Sequence, residues 1–216
     1  MAAEAPTLTL ERSLVTPGRL VIGLDEVGRG AIAGPVAVGA VAADVWAVEP
    51  LPGVRDSKLL SQRRREALAE GVRCWGAARA VGIADAAEVD ELGIIVGLGL
   101  AARRALLALH GDGIPVLEST VLLDGAHDWL SPALRRRPSI VTRVKADRDC
   151  AVVATASVLA KLDRDAFMTE ADARHPGYGW AGNKGYGSAG HFAAIRELGA
   201  TPLHRRSWLR GLAEAG

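Results

Sequence analysis

Cysteine, aromatic side chains and net charge are all scarce in this chain, and each scarcity narrows what it can be. The two cysteines, Cys74 and Cys150, have neither CxxC spacing nor flanking histidines, so neither a zinc site nor a dithiol redox motif is available. Both lie in apolar stretches and read as buried free thiols, as expected in a reducing cytoplasm. Aromatics make up 4% of the 216 residues against 49% for all hydrophobic residues, so the core must be built from small aliphatic side chains. A formal net charge of +1 provides no global basic field, and any nucleic-acid contact has to be local. No basic segment followed by an apolar run marks a signal peptide at the N-terminus. The longest weakly apolar stretch, Ala31 to Val48, is broken by Gly34, Pro35, Gly39 and Asp44 and cannot span a membrane. A soluble, cytoplasmic protein is expected.

What is present suits one α/β domain. Residues 1–18 carry Pro6 and Pro17 without a clear period and read as a tail or irregular lead-in; residues 19–216 read as a single domain. Leu20 to Leu24 is a short apolar run, hence a buried strand, ending on Asp25-Glu26 and followed by Gly28-Arg29-Gly30. A second strand runs from Pro35 to about Val45, and the Gly and Pro between the two favour an antiparallel reversal. Ser61 opens a helix from Gln62 to about Glu70, ended by Gly71, and Cys74 to Ile83 returns as a strand. Acidic residues between Asp85 and Glu91 mark helix starts, and Ile94 to His110 is helical. Val121 to Leu123 and Ser139 to Val144 are strands, stopping at Asp124-Gly125 and Lys145-Ala146-Asp147. The longest helix, Asp149 to about Arg174, must turn Val152, Val153, Ala156, Leu159 and Ala160 to the sheet. A Gly-rich loop to Gly190, a helix from His191 to Leu198 and a segment ending in Trp208 complete the chain. Strands first, then alternating helices and strands, predict a mixed sheet flanked by helices.

Three strand candidates therefore end in acids: Asp25-Glu26, Asp124 and Asp147. In α/β sheets ligands collect at strand ends, where rigid backbone positions each side chain. Ionised carboxylates gathered in one cleft repel unless a cation neutralises them. All-oxygen ligands suit Mg²⁺ or Mn²⁺, and two such ions about 3.5–4 Å apart can activate water and stabilise a leaving oxygen of a phosphodiester. The pattern points to phosphoryl transfer, and no GxSxG motif supports acyl transfer. Gly28, Gly30 and Gly34 loosely match a dinucleotide fingerprint, but that fingerprint opens a helix and this one leads into a strand.

Gly23-Leu24-Asp25-Glu26-Val27-Gly28-Arg29-Gly30, with Ala33-Gly34-Pro35-Val36 behind it, resembles the opening motif of ribonuclease HII. The resemblance continues, in the family's order, through Asp56-Ser57-Lys58-Leu59-Leu60, Leu123-Asp124-Gly125, Lys145-Ala146-Asp147, Ala156 to Lys161 with Arg164-Asp165, His175 to Tyr178, Asn183 to Gly187, His191, and His204 to Trp208. It implies an RNase H-like fold, with a mixed five-stranded sheet, flanking helices and a small helical C-terminal part. It also implies a metal-dependent endonuclease that cuts at ribonucleotides in RNA–DNA hybrids or within duplex DNA, leaving 3′-hydroxyl and 5′-phosphate ends. Carried over, Asp25, Glu26, Asp124 and Asp147 would bind two divalent ions, Mn²⁺ or Mg²⁺, and carry catalysis. Gly28, Arg29 and Gly30 would surround the ribose 2′-hydroxyl, where glycine lets backbone approach closely and the hydroxyl both donates and accepts. Tyr186 would stack on the neighbouring sugar. Lys58, with Lys145, Lys161 and Arg164, would meet phosphates or support the site. Ala31, Gly93, Cys150 and Thr155 depart from the family's usual residues without removing a carboxylate.

Basic clusters at Arg63 to Arg65, Arg135 to Arg137, Arg143 to Arg148 and Arg205-Arg206 offer local, sequence-independent phosphate contacts. A monomer acting on such a duplex, without a membrane, is the expectation. Two other readings stay open: a junction-resolving nuclease of the same fold, which needs no ribose-sensing loop, and a hybrid-binding module without turnover.

Overall fold

In the computed structural model, which describes residues 5–209, the lead-in is helical instead of irregular: Thr9–Leu14 forms α1. Tertiary packing explains what the sequence period did not reveal. Leu8 is buried, Leu10, Leu14 and Val15 pack beside it, and Thr7 bridges to Cys150. Glu11 is fully buried and its Oε1 accepts from the Val152 amide at 3.1 Å, meeting one of the free donors that open a long helix. Burial pushes its carboxyl above the usual glutamate range.

Two strands follow, β1 (Val21–Val27) and β2 (Val36–Ala43), antiparallel with Asp25 opposite Gly39. Helix α2 (Gln62–Cys74), capped by Ser61, runs through Gly71 to Cys74, so β3 begins only at Ala78 (Ala78–Ala84). A glycine costs a helix about 1 kcal/mol against alanine, which packing against Leu51 can absorb. Asp85 forms a capping box with Glu88 at the start of α3 (Ala86–Leu92), and α4 spans Ile94–Gly111. Strands β4 (Thr120–Asp124) and β5 (Ser139–Arg143) add on in parallel, giving the order β3-β2-β1-β4-β5. After β5 come a single helical turn, α5 (Ala146–Asp149), and the long α6 (Ala151–Arg174). The Gly-rich loop contains α7 (Trp180–Asn183); α8 (Ala189–Leu198) and a 3₁₀ turn at Arg206–Leu209 end the described chain.

Period-two alternation divides the sheet between two cores. Ile22, Leu24, Val38 and Ala40 face α4, whereas Val21, Val41 and Leu122 face α6. Helix α4 has the length and apolarity of a membrane span, yet Leu98, Ala101, Ala102, Ala105 and Leu109 are buried in the first of these cores. Helix α6 lies so close to the sheet that a Cβ on Gly39 would come within 2.3 Å of the Ala156 carbonyl oxygen. A third cluster, Ile32, Ala33, Met168, Tyr178, Trp180 and Ile195, joins the C-terminal helices to the loop after β1.

Only one of the two thiols matches the expectation of burial. Cys150 is buried, and desolvation pushes its thiol up to about 12, but Cys74 closes α2 on its outer side and is exposed. Thiol titration of the native protein is expected to modify Cys74 promptly and Cys150 only in denaturant. Equal rates in the native state would contradict this packing.

Candidate active site

The register of the sheet brings the acids together. Leu24 pairs with Leu123, so Asp25 and Asp124 occupy the next positions on adjacent parallel strands, and by alternation both face α6. Glu26 points the opposite way and lies 3.5 Å from Arg29. Asp147 does not sit at a strand end. Lys145 takes a left-handed conformation (φ 63°) that breaks β5 and starts α5, so Asp147 rides on the first turn of that helix. Asp124 reaches across to cap this turn: its Oδ1 accepts from the Ala146 amide at 2.7 Å and the Asp147 amide at 3.4 Å.

Charge crowding is severe at Asp25. Burial first, then the negative charges of Glu26, Asp124 and Asp147, push its carboxyl up to about 8, against the lowering effect of a hydrogen bond from Ser157 on α6. The Ser157 hydroxyl lies 2.9 Å from that of Ser57, both buried. Burial and Asp124 likewise raise Glu26 and Asp147. Lys58 answers this charge: its Nζ is 3.4 Å from Asp147 Oδ2, and Asp25, Asp147 and Asp56 hold its ammonium above the usual lysine range despite partial desolvation. Asp56 accepts from the Lys58 amide at 2.9 Å, and Arg65 Nη1 donates to the Ser57 carbonyl at 3.0 Å, so the loop bearing Lys58 is fixed.

No three acidic, histidine or cysteine side chains among the described residues converge as a ready-made metal cage. The reason is visible in their partners: Glu26 turns to Arg29, Asp147 to Lys58, and Asp124 to amides. The donor set nevertheless fits a hard divalent cation. It is all oxygen, it is clustered around a buried Asp25, and its mutual repulsion is what such an ion removes.

The loop after β1 lies beside the acids. Gly28 adopts φ +79°, and a Cβ there would come within 2.0 Å of Arg164 Nε, so both backbone and space require glycine. The amides of Ala31, Ile32, Ala33 and Gly34 donate to protein carbonyls, whereas those of Gly28, Arg29 and Gly30 have no protein acceptor among the described residues; of these three, Arg29 and Gly30 are exposed. Tyr186 is joined to this loop through Gly185, whose carbonyl accepts from Ile32 and Ala33. Its ring is 39% exposed and lies 5.6 Å from the Arg164 guanidinium.

Matches to known proteins agree with this geometry. The sequence model of the Ribonuclease HII family covers residues 22–211. The chain belongs to the ribonuclease HII family. It is 47% identical over 210 residues to the Ribonuclease HII of Streptomyces avermitilis, covering 96% of this chain and 85% of that one. The ribonuclease H2 of Pyrococcus horikoshii OT3 has the same fold, with a TM-score of 0.71, 24% identity, and coverage of 90% of this chain and 97% of that one. Bst-RNase HIII, solved in complex with Mn²⁺, superposes with a TM-score of 0.62 at 23% identity, over 87% of this chain and 66% of that one. As a ribonuclease HII, the chain is a metal-dependent endoribonuclease acting on the RNA of RNA–DNA hybrids, and its five-stranded sheet with flanking helices is the RNase H-like fold.

Two residues packed around this candidate site, Ser157 and Arg205, carried no individual signal in the sequence. Ser157, inside the recognised Ala156 to Lys161 string, touches Asp25. Arg164, expected to meet a phosphate or support the site, and Arg205, expected in a basic cluster, are 2% and 0% exposed and point inward. Lys161 pairs with Asp165 on its own helix. Arg63 and Arg64 do stay on the surface, whereas Arg65 is turned in to the Ser57 loop.

Proposed function

We propose that this site hydrolyses the phosphodiester bond at a ribonucleotide, in an RNA–DNA hybrid or singly embedded in duplex DNA, leaving 3′-hydroxyl and 5′-phosphate ends. The observation that carries the reading is a loop whose exposed amides, Arg29 and Gly30, have no protein acceptor among the described residues, just after the acids Asp25 and Glu26. An amide pair presented at the surface suits an oxygen acceptor, and the 2′-hydroxyl is the acceptor that distinguishes RNA from DNA.

Asp25, Glu26, Asp124 and Asp147 would hold two divalent ions, Mn²⁺ or Mg²⁺; Bst-RNase HIII with its Mn²⁺ supports a divalent cofactor. When bound, these ions supply Lewis acidity for activating water and for charge on the departing 3′-oxygen. The chain's own groups do the rest. Gly28, Arg29 and Gly30 bring backbone to the ribose, and Tyr186 offers an exposed ring to the next sugar. Lys58 carries a cation to a neighbouring phosphate. Arg55, Arg143 and Arg148 line an open groove beside Asp56, where a duplex backbone can lie. Hydrolysis of one strand of a duplex suits a monomer working in the cytoplasm, where both thiols stay unpaired.

A DNA duplex with one ribonucleotide, incubated with Mg²⁺ or Mn²⁺ and with its ends mapped, is expected to be cut at the ribonucleotide. Absence of that cut overturns the proposal. Preferential cutting of a four-way junction would favour a resolvase, and tight binding without turnover would favour a non-catalytic module.

A further inference from the structure

Two arginines sit under the ribose-facing loop without a carboxylate partner. Arg164 and Arg205 form no salt bridge among the described residues, although buried charges normally are paired. Every hydrogen bond they make goes to a backbone carbonyl. Arg164 donates from Nε to Pro35 (2.9 Å), from Nη1 to Lys184 (2.8 Å) and from Nη2 to Ala33 (3.2 Å). Arg205 donates from Nε to Gly34 (3.2 Å), from Nη1 to Arg29 (2.9 Å), and from Nη2 to Gly28 (2.7 Å) and Gly34 (3.1 Å).

We propose that Arg205, with Arg164 beside it, is a positioning residue for ribonucleotide specificity: it draws the carbonyls of Gly28 and Arg29 inward, so that the amides of Arg29 and Gly30 are left facing the substrate. The inference rests on the proposed ribonucleotide reading of the same loop. Three features support it. A planar fork satisfies several carbonyls at fixed angles, which a lysine ammonium cannot do. The Gly28 carbonyl, which also accepts from the Ala31 amide at 3.2 Å, is the acceptor of the shortest Arg205 bond, so the turn and the clamp share one atom. The same pair reaches the second recognition element, since Arg164 binds the Lys184 carbonyl and lies against the Tyr186 ring. Lys184 is itself held left-handed at φ 51°, a conformation that needs such support. Desolvation and the proximity of Arg164 lower Arg205 to about 10, so it still holds its proton at neutral pH. Asp165 and Asp90 act on these two charges only from beyond salt-bridge distance, so their direct partners are the loop's carbonyls.

The test compares three quantities in wild type, Arg205→Lys and Trp208→Leu. They are kcat and KM on a duplex with one ribonucleotide, and the inhibition constant of the same duplex made wholly of DNA. Trp208 is partly exposed and stacks 5.0 Å from Arg205, so its loss loosens the clamp without emptying the core. Arg205→Lys is expected to raise KM on the ribonucleotide duplex by ~10- to 100-fold, the effect of losing one or two hydrogen bonds to a charged group. The kcat should change much less and the DNA inhibition constant should not move. Trp208→Leu should shift KM in the same direction by roughly 3-fold. A selectivity ratio unchanged in every variant that folds overturns the inference; if Arg205→Lys does not fold, Trp208→Leu decides. Should wild type itself fail to cut at the ribonucleotide, the proposed function falls instead.

Discussion

Asp124→Asn is expected to remain folded while its cleavage rate at saturating Mg²⁺ or Mn²⁺ drops by on the order of 10³-fold or more, the scale of losing a group that acts as part of a catalytic unit. The side chain has two separable jobs. Its Oδ1 accepts from the Ala146 and Asp147 amides and so fixes the turn that carries Asp147. An asparagine carbonyl can make the same bonds, which keeps α5 in place. Its charge, in contrast, is one of those pressing on Asp25, Glu26 and Asp147. Replacing it by an amide would remove one of the proposed anionic ligands and put a donor where the proposed cation would bind. Single-turnover cleavage with metal titration, beside a thermal melt, separates the jobs. An unchanged melt with weakened metal binding and lost turnover is the expected pair. Near-normal cleavage at saturating metal would remove Asp124 from the catalytic set. Asp124→Ala, which also loses the cap, should cost stability as well, about 0.5–2 kcal/mol.

Asp25, Glu26 and Asp124 could be found in the sequence because each terminates an apolar run, and in this sheet the ends of β1 and β4 are adjacent. Asp147 was found for a reason only half right. The apolar run of β5 does stop near it, but the left-handed Lys145 inserts a turn, so its position depends on Asp124 and not on the strand. Arg205 and Arg206 show where local reading ends. They are adjacent and chemically identical, yet one is fully buried and the other exposed. What separates them is the carbonyl lining of the Gly28 to Pro35 loop, far away in sequence. Helix α1 was hidden for the same reason, since it is held by the Leu8, Leu10 and Leu14 contacts and by Glu11 at the start of α6. Residue spacing revealed elements that carry their own period; it could not reveal groups whose role is set by a distant partner.

In the absence of divalent metal, ionisation of Asp25 is expected to withdraw stability from the protein as pH rises from about 4 to about 8, and Asp25→Asn is expected to remove that contribution. The sign follows from the direction of the shift. Asp25 is held near 8 in the folded protein, chiefly by burial and then by its acidic neighbours, against about 3.9 in an unfolded chain. Its neutral form therefore favours folding: this contribution is complete below the unfolded value and disappears as pH climbs through the folded one. Between the two, the folded state carries one more proton, which tilts stability by about 1.4 kcal/mol per pH unit as an upper bound. Glu26 and Asp147, raised by the same crowding, add to the slope with the same sign. Asparagine cannot ionise, yet it can keep a contact with the Ser157 hydroxyl, so the variant should melt higher than wild type at pH 8 in EDTA and close to it near pH 4. Mn²⁺ should narrow the gap at pH 8, because a bound cation offsets the carboxylate charge that protonation otherwise removes. Melting curves across pH, with EDTA and with Mn²⁺, test this directly. Parallel pH profiles for wild type and Asp25→Asn in EDTA would mean that Asp25 is not the group whose charge the fold resists.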